Sequence, residues 1–333
     1  MKNLLRRISR RLWQTASHWT PFAACLRAWG TKTTKYEPCI VAPISGGLGN
    51  QIWQYAVGAG AACFSGLPVY YDPAWRNGPV KDIKGEANRN FDLLRVFPDL
   101  PLKTASAEMA EFYWRWFLRE PGYQCVYEEK FYTDPLPRYL GGFYANSGYL
   151  SALPPSFWGQ FRFSDDLVQE NEIKKQMLHA EGVPVAVHVR RGDFINSIFD
   201  VLTVSYYRRA MEWMREKLHP AKPAFYVFSN GMDWAHENLT MPDVFFMDFN
   251  DNDAVANDFY LMANCSHHII ANSTLSWLAA WFCKNEDQIV VMPDRWFNDK
   301  LWRAPWWVNK KAFLYKSESA FSLDGWIMLS AAQ

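Results

Sequence analysis

The sequence predicts an α/β fold in which helices cover parallel β-sheets. One observation is an apolar segment at residues 39–44 that runs through a glycine-rich turn into a helix-forming segment at residues 51–64. A second is the alternation of five short apolar segments with four helical segments from residue 183 onward. Strands that are apolar throughout and separated by helices belong to parallel sheets covered on both faces. At 333 residues the chain also exceeds the usual span of one core, so we expect two domains.

Each element follows from a local pattern. In the first part we predict strand 39–44, turn 45–50 and helix 51–64, followed by a less regular region with helices at 105–118 and 166–179. In the second part we predict strands 183–189, 224–229, 244–248, 267–271 and 288–292, and helices 205–218, 232–239, 253–263 and 273–284. We therefore predict one domain over residues 37–180 and another over residues 181–333.

The first 36 residues form a separate basic segment, with eight lysine or arginine residues and no acidic residue. At about 100° per residue its apolar and basic side chains fall on opposite faces of a helix. The two faces are Leu4, Leu5, Ile8 and Leu12 on one side, and Arg6, Arg7, Arg10 and Arg11 on the other. This pattern predicts a peripheral contact of residues 1–36 with an anionic membrane surface, and a frayed tail or a helix packed on the body is the alternative. No apolar stretch approaches the roughly 20 residues of a spanning helix, so we expect a cytoplasmic protein whose membrane association, if it has one, is peripheral.

The overall composition excludes two kinds of partner. The 35 lysine and arginine residues almost balance the 34 acidic residues, which gives a net charge of +1 and argues against nucleic acid as a partner. The six cysteines include no C-x-x-C pair, so we expect neither a zinc site nor a disulfide framework. The Asp251-Asn252-Asp253 segment is interpreted as a helix cap, so we expect no metal site.

The most informative segment runs from His188 to Asp193, at the end of predicted strand 183–189. It brings Arg190 and Arg191 into one turn. Guanidinium groups stay protonated and grip phosphate oxygens in a forked geometry that lysine lacks. Because ligands of parallel α/β sheets bind at the carboxyl ends of strands, this segment predicts a diphosphate site. A salt-bridged surface turn is the alternative.

Two other strand ends carry candidate binding residues. Ser273 and Thr274 open a predicted helix, where free N–H groups and the helix dipole favour phosphate, although ordinary N-capping explains them equally well. In the glycine turn, Gly47 lets the backbone approach a ligand and Asn50 supplies an amide able to bond hydroxyls. A plain β-α turn is the alternative there.

Together these segments resemble the ordered motifs of the alpha-1,2-fucosyltransferases, glycosyltransferase family 11. The motifs are Gly46-Gly47-Leu48-Gly49-Asn50-Gln51 with Gln54-Tyr55-Ala56, then His188-Val189-Arg190-Arg191-Gly192-Asp193, then Asn272-Ser273-Thr274 with Ser276-Trp277 and Ala279-Ala280-Trp281. The resemblance implies a GT-B-like fold, with two Rossmann-like domains facing across a cleft. Residues 181–333 would form the GDP-sugar-binding domain and residues 37–180 the acceptor-side domain.

The resemblance also implies an inverting, metal-independent enzyme that moves L-fucose from GDP-fucose to the 2-hydroxyl of a terminal galactose on a glycan acceptor. Arg190 would contact the β-phosphate, with His188 and Arg191 lining the same turn. Ser273 and Thr274 would complete the phosphate cradle, and Gly47 and Asn50 would border the donor. Asp258 stands where more distant fucosyltransferases bind guanine, and a solvated helix acid is its alternative. Asp193 is either the catalytic base or, as we favour, a residue that orients Arg191.

The chain departs from the family pattern at two points. The family often carries paired acids after the strand that ends at Phe228-Ser229, whereas this chain has Asn230-Gly231. Ile52-Trp53 replaces the usual methionine and phenylalanine of the first motif. Two alternatives therefore stay open: a fucosyltransferase of another linkage or acceptor, and a non-catalytic carbohydrate- or nucleotide-binding protein.

Overall fold

The computed structural model describes residues 36–82, 84–85, 88–122, 127–249, 255–298 and 320–331. Nearly all of the predicted amphipathic segment at 1–36 and the whole Asp251-Asn252-Asp253 segment lie outside these residues. Within them, no helix combines the length and the apolar character needed to cross a bilayer.

The first half of the chain builds a four-stranded parallel sheet in the order β2-β1-β6-β5. The strands are β1 (Ile40–Ile44), β2 (Val69–Pro73), β5 (Leu118–Gly122) and β6 (Arg138–Gly142), and a separate antiparallel pair is formed by β3 (Val80–Lys81) and β4 (Asn88–Arg89). The helices of this half are α1 (Leu48–Ser65), α2 (Leu93–Val96), α3 (Ala107–Phe117), α4 (Lys130–Thr133), α5 (Gly148–Ser151), α6 (Pro155–Trp158) and α7 (Asp165–Leu178). The predicted strand at 39–44 and the three predicted helices are confirmed, with ends shifted by one to three residues.

The turn between β1 and α1 requires glycine at one position. Gly46 has φ +77°, a left-handed conformation that residues with a Cβ rarely adopt. Helix α1 then begins after Gly47 and is buried along most of its length. It ends at Gly66, which is also left-handed, and the Gly66 N–H donates to the carbonyl of Ala62.

The second half builds a six-stranded parallel sheet in the order β12-β11-β10-β7-β8-β9. Its strands are β7 (Val183–Val189), β8 (Pro223–Ser229), β9 (Val244–Phe246), β10 (His267–Ile269), β11 (Val290–Pro293) and β12 (Ile327–Leu329), and its helices are α8 (Val204–Leu218), α9 (Met232–Leu239), α10 (Val255–Ala263) and α11 (Thr274–Trp281). The five predicted strands and four predicted helices are confirmed. Strand β12 at the sheet edge was not predicted.

Strand β7 shows why this sheet is parallel and buried. Its side chains alternate between two cores. Val185, Val187 and Val189 lie in the core shared with α8 and α9, whereas Ala186 lies in the core shared with α10 and α11. Both faces are therefore covered by helices, which is the Rossmann-like arrangement that the uninterrupted apolar run predicts.

The two sheet units pack directly on one another through α1 and α11. The rings of Trp53 and Trp277 meet edge to face, with centroids 4.9 Å apart. One continuous hydrophobic core contains buried residues from both units. The expected α/β class, with two Rossmann-like units in a GT-B-like arrangement, is confirmed. The domain ranges 37–180 and 181–333 remain predictions, and α7, which falls in the first range, packs on α10 through a hydrogen bond from Asn171 Nδ2 to Asn257 Oδ1 at 2.9 Å.

Candidate functional site

The predicted arginine turn lies at the carboxyl end of β7, a central strand of the six-stranded sheet. Strand β10 runs beside β7 with Ile269 opposite Val187, so the chain leaves both strands at the same edge. Arg190 follows β7 directly, and Ser273 begins helix α11 shortly after β10. The fold thus brings two of the predicted anion-binding segments to one edge of the sheet, where parallel sheets bind their ligands.

Asp193 is the centre of an ion-pair cluster in this turn. Nη2 of Arg190 lies 2.7 Å from Oδ1 and 2.9 Å from Oδ2 of Asp193. Nη2 of Arg89 lies 2.6 Å from Oδ2, and Nδ2 of Asn230 donates to Oδ1 at 3.3 Å. The Asp193 side chain is only 5% exposed, so its carboxylate is buried and held by three donor groups.

The expectation that Asp193 orients Arg191 is wrong. The carboxylate pairs with Arg190 instead, and the Arg191 guanidinium lies over the Trp234 ring with Cζ 4.5 Å from the centroid. A cation over the face of an indole is attracted by the ring quadrupole. The side chain of Arg191 is therefore positioned by α9, which carries Trp234, and not by Asp193.

Asn230 and Gly231, which stand where the family often has acids, hold the backbone of the turn. The Arg191 N–H donates to Oδ1 of Asn230 at 2.9 Å. A Cβ on Gly231 would come within 2.8 Å of Cβ of Arg191. The amide of Asn230 is thus shared between the Arg191 backbone and the Asp193 carboxylate, a contact that a second acid could not make to Asp193.

The guanidinium of Arg190 has hydrogen-bonding capacity left over. It packs over Phe194, with Cζ 5.2 Å from the ring centroid. Within the described residues, Nε of Arg190 and Nε of Arg191 are buried without a hydrogen-bond acceptor. Burial lowers the pKa of Arg190, and the Asp193 carboxylate opposes that shift. Guanidinium nevertheless stays charged near neutral pH, so the turn presents buried positive charge that the protein only partly neutralises.

His188 is a neutral imidazole in this environment. It is 4% exposed, and its Nδ1 has no hydrogen-bond partner in the described part of the chain. Burial, with a smaller contribution from the charge of Arg190, lowers the pKa of His188 to about 3. The side chain therefore adds no charge at neutral pH.

The start of helix α11 meets the start of helix α1. Ser273 is the N-cap of α11, and its Oγ accepts a hydrogen bond from the Leu275 N–H at 3.4 Å. The Thr274 hydroxyl donates to Oδ1 of Asn50 at 2.8 Å, which joins the first and third motifs. Gly47 is the N-cap of α1, and no atom lies within 4 Å of the position that its Cβ would occupy. The structure thus brings Asn50, Ser273 and Thr274 together, with both hydroxyls already engaged.

Asp258 lies in the first turn of α10 and is half-buried. Helix α10 packs against α11, so Asp258 is carried by the helix next to the one that Ser273 caps. Its guanine-binding role remains a prediction.

A pocket of about 70 Å³ lies between the two units, beside the Asn50–Thr274 contact. Aromatic side chains form most of its wall, with three polar residues among them. The lining residues are Asn50, Trp53, Gln54, Phe143, Ala145, Phe199, Thr274, Trp296, Phe297 and Phe321. The amide Nδ2 of Asn272 donates to the carbonyls of Phe199 at 3.0 Å and Trp296 at 2.9 Å, which ties two loops of this wall to the end of β10.

Sequence reasoning missed two residues of the site, Arg89 and Lys84. Both come from the β3–β4 region of the first unit. The Lys84 ammonium donates to the carbonyl of Gly192 at 2.9 Å, and Arg89 pairs with Asp193. No hydrophobic period or motif marks this region, so nothing in the sequence places it over the arginine turn. In the described part of the chain, no group of three or more His, Cys, Asp or Glu residues is arranged to hold a metal ion.

Comparison with known proteins identifies relatives that are sugar transferases. The chain is 30% identical over 178 residues to the O-antigen biosynthesis glycosyltransferase WbnK of Escherichia coli, a match that covers 51% of this chain and about half, 53%, of WbnK. It is 26% identical to an alpha-1,2-colitosyltransferase of Escherichia coli, over 78% of this chain and 92% of the relative. It is 28% identical to galactoside alpha-(1,2)-fucosyltransferase 1 of Saimiri sciureus, over 86% of this chain and 73% of the relative.

A family model covers just over half of the chain. The match extends over residues 140–316 and therefore includes the arginine turn and the Ser273-Thr274 motif. The resemblance seen in the three motifs is confirmed, and the chain belongs to glycosyl transferase family 11.

Proposed function

We propose that this protein is an inverting transferase that moves L-fucose from GDP-fucose to the 2-hydroxyl of a terminal galactose. The observation that carries the proposal is the buried, incompletely neutralised guanidinium of Arg190 at the carboxyl end of β7. A second guanidinium, Arg191, follows it in the chain, and the N-terminal end of α11 lies at the same edge of the sheet. This combination suits a diphosphate leaving group.

The chemistry requires positive charge at the leaving group. Breaking the bond between fucose and the β-phosphate builds negative charge on GDP and oxocarbenium character on the sugar. Fixed donors aimed at that charge lower the barrier without reorganising during the reaction. In the proposed mechanism Arg190 binds the β-phosphate, Arg191 and the N–H groups of α11 support it, and no metal ion takes part.

Asp193 is proposed to act through Arg190. Its two oxygens already accept from Arg190, Arg89 and Asn230, so the carboxylate is engaged before any acceptor arrives. A general base needs an oxygen within hydrogen-bond reach of the acceptor hydroxyl. The geometry therefore favours a role in which Asp193 orients the Arg190 guanidinium. It disfavours Asp193 as the general base that takes the proton of the acceptor hydroxyl.

The acceptor galactose is proposed to bind in the aromatic pocket between the units. Small-molecule pockets are mostly apolar walls with a few polar groups that set orientation, and this pocket has Asn50, Gln54 and Thr274 in that role. The pocket adjoins the proposed donor site because Thr274 lines the pocket and is also the first residue of α11. The apolar face of a pyranose ring suits the aromatic side chains of its wall.

A second candidate donor is a GDP-linked colitose, because the relative matched over 92% of its length is an alpha-1,2-colitosyltransferase. The two donors are separated by measuring GDP release from GDP-fucose and from GDP-colitose, each with and without lactose, in excess EDTA. The proposal expects acceptor-dependent release from GDP-fucose, EDTA without effect, and an α-1,2 linkage in the product by NMR. Acceptor-dependent release from GDP-colitose alone would establish the second candidate. If neither nucleotide sugar releases GDP above the hydrolysis background, the binding-protein alternative is favoured. If EDTA abolishes the activity and a divalent metal restores it, the metal-free mechanism is refuted.

The basic segment at residues 1–36 is proposed to make a peripheral membrane contact. Basic side chains close to an anionic surface each contribute about 1 kcal/mol of attraction. The test is co-sedimentation of the full chain and of a chain lacking residues 1–36 with phosphatidylserine vesicles. Equal sedimentation of the two proteins would refute the contact.

A further inference from the structure

We propose that Arg89, a residue of the first unit, is a positioning residue of the donor site. Its ion pair with Asp193 leaves the Arg190 guanidinium available to the diphosphate. The inference rests on the proposed function, because it assigns a partner to the arginine turn of that same site. It also adds a cation of the first unit to a diphosphate site whose arginine turn and Ser273-Thr274 motif lie in the second.

The contact is short and shielded. Arg89 Nη2 lies 2.6 Å from Asp193 Oδ2, and the two side chains are 23% and 5% exposed. The same region makes a second contact with the turn. The Lys84 ammonium donates to the carbonyl of Gly192, the residue before Asp193, at 2.9 Å. The two contacts join residues 104 and 108 positions apart in the chain. The β3–β4 region is therefore docked on the arginine turn at two points.

The charges around the turn favour a dianion. Four cations, Lys84, Arg89, Arg190 and Arg191, surround the turn. Two carboxylates, Asp82 and Asp193, oppose the lowering of the pKa of Arg190. Among these named groups the cations therefore outnumber the carboxylates, and Arg89 is one of the cations. A nucleotide-sugar diphosphate brings the compensating negative charge.

Competition for Arg190 gives Arg89 its role. A phosphate bound by Arg190 competes with Asp193 for Nη2 of that guanidinium, which contacts both carboxylate oxygens. A buried carboxylate that loses a cationic partner is strongly destabilised. With Arg89 in place, Asp193 keeps a charge-assisted partner when Nη2 of Arg190 turns to the ligand. Without Arg89, the described residues leave Asp193 one charged partner, Arg190, beside the neutral amide of Asn230, and Asp193 would compete with the diphosphate.

Electrostatics between the two arginines point the same way. After burial itself, the nearby charge of Arg89 is among the influences that lower the pKa of Arg190. Like charges held this close repel. Asp193 already lies between the two guanidinium groups, and a diphosphate bound by Arg190 would add further negative charge beside them.

The test uses GDP binding to the full chain, measured by titration calorimetry, because binding does not require any catalytic base. The variants are Arg89→Ala, Arg89→Lys, Asp193→Asn and the double variant Arg89→Ala with Asp193→Asn. Arg95→Ala is the matched control, because it removes one positive charge from an exposed position on the same unit. Thermal unfolding of each variant is followed in parallel.

Arg89→Ala is expected to weaken GDP binding by about tenfold or more, as for other buried charge pairs, whereas Arg95→Ala leaves it unchanged. Arg89→Lys keeps the charge and recovers part of the affinity. The decisive variant is the double one: removal of the competing carboxylate restores GDP binding although Arg89 is still absent. A purely structural role for Arg89 predicts no such restoration, since the second substitution adds no contact. If Arg89→Ala does not fold, Arg89→Gln replaces it with the same expectations.

The outcomes separate this inference from the proposed function. A wild-type chain that does not bind GDP would overturn both. Wild-type binding of GDP with Arg89→Ala within about twofold of Arg95→Ala would overturn the role of Arg89 alone. Weak binding by Arg89→Ala that Asp193→Asn fails to restore would also overturn it, in favour of a structural role.

Discussion

The hydroxyl of Thr274 donates a hydrogen bond to Oδ1 of Asn50 at 2.8 Å. This single contact joins the first turn of α11 to the first turn of α1, and so joins the two sheet units at the edge where the arginine turn lies. The neighbouring Gly49 lets the two helices approach this closely, because its missing side chain faces the backbone of Thr274 and Leu275. The close approach of the two helix starts thus involves this pair and the glycine beside it.

Gly49→Ala is expected to destabilise the protein. An added Cβ would lie 2.5 Å from the Leu275 nitrogen and 2.7 Å from the Thr274 carbonyl carbon, and neither backbone atom can move alone. Overpacking of this kind costs about 1–3 kcal/mol of unfolding free energy, measured by urea denaturation. Gly47→Ala is the matched control, since its Cβ would meet nothing within 4 Å and its φ is −75°. Equal stability of the two variants would contradict the close approach of α1 and α11.

Arg190→Ala is expected to abolish transfer while leaving the fold intact. Loss of one fixed donor at a charged leaving group typically costs about 10²–10³-fold in turnover. Arg190→Lys should recover only a small part, because an ammonium keeps the charge but not the fork. The measurement is the turnover number with GDP-fucose and lactose, with far-ultraviolet circular dichroism as the check on folding and Arg115→Ala as an exposed control. More than a tenth of wild-type turnover in Arg190→Ala would rule out its central role.

Asn272→Ala is expected to loosen the proposed acceptor pocket without harming nucleotide binding. Its amide holds the Phe199 and Trp296 carbonyls, and Asn272 is only 1% exposed. Loss of buried hydrogen bonds costs about 1–3 kcal/mol of stability. The KM for lactose should rise while the Kd for GDP stays unchanged. Asn285→Ala serves as the control, because it removes two side-chain hydrogen bonds, to the Ser266 carbonyl and from the Asp287 N–H. An unchanged KM for lactose in Asn272→Ala would contradict the proposal that the acceptor binds in this pocket.

Buried histidines make the stability depend on pH, and His188 and His268 have the largest shifts. Burial lowers the pKa of His188 to about 3 and that of His268 to about 4, from an ordinary value of 6.5. Below pH 6.5 the unfolded chain therefore binds protons that the folded chain does not. The free energy of unfolding falls with decreasing pH, by at most about 1.4 kcal/mol per unit for each histidine, until the folded-state pKa values are reached.

The measurement is urea unfolding between pH 7 and pH 4.5. His268→Gln should show a shallower pH dependence than wild type, because one buried histidine is gone. His179→Gln, at an exposed position after α7, should keep the wild-type dependence. Identical slopes in wild type and His268→Gln would show that protonation of His268 does not contribute.

Much of the second unit could be predicted from the sequence. Strand β7 is apolar except for His188 and buried except at Val183, so its boundaries at Val183 and Val189 follow from the local pattern. Strands of the first sheet were harder to recognise: β6 begins with Arg138, which is buried because its guanidinium donates to the carbonyls of Phe131 and Asp134. A charged residue at the start of a strand is not part of the apolar pattern by which a buried strand is recognised.

The sequence by itself determined the α/β class, the family and the guanidinium groups at the end of β7, because apolar runs and short motifs are local properties of the chain. Only the tertiary structure decided which cation holds which anion. Asp193 pairs with Arg190 and with Arg89, and Arg191 rests on Trp234 instead. Ion pairs between residues about a hundred positions apart depend on how two sheets pack, and the side-chain contacts that set this packing have no signature in the order of the residues.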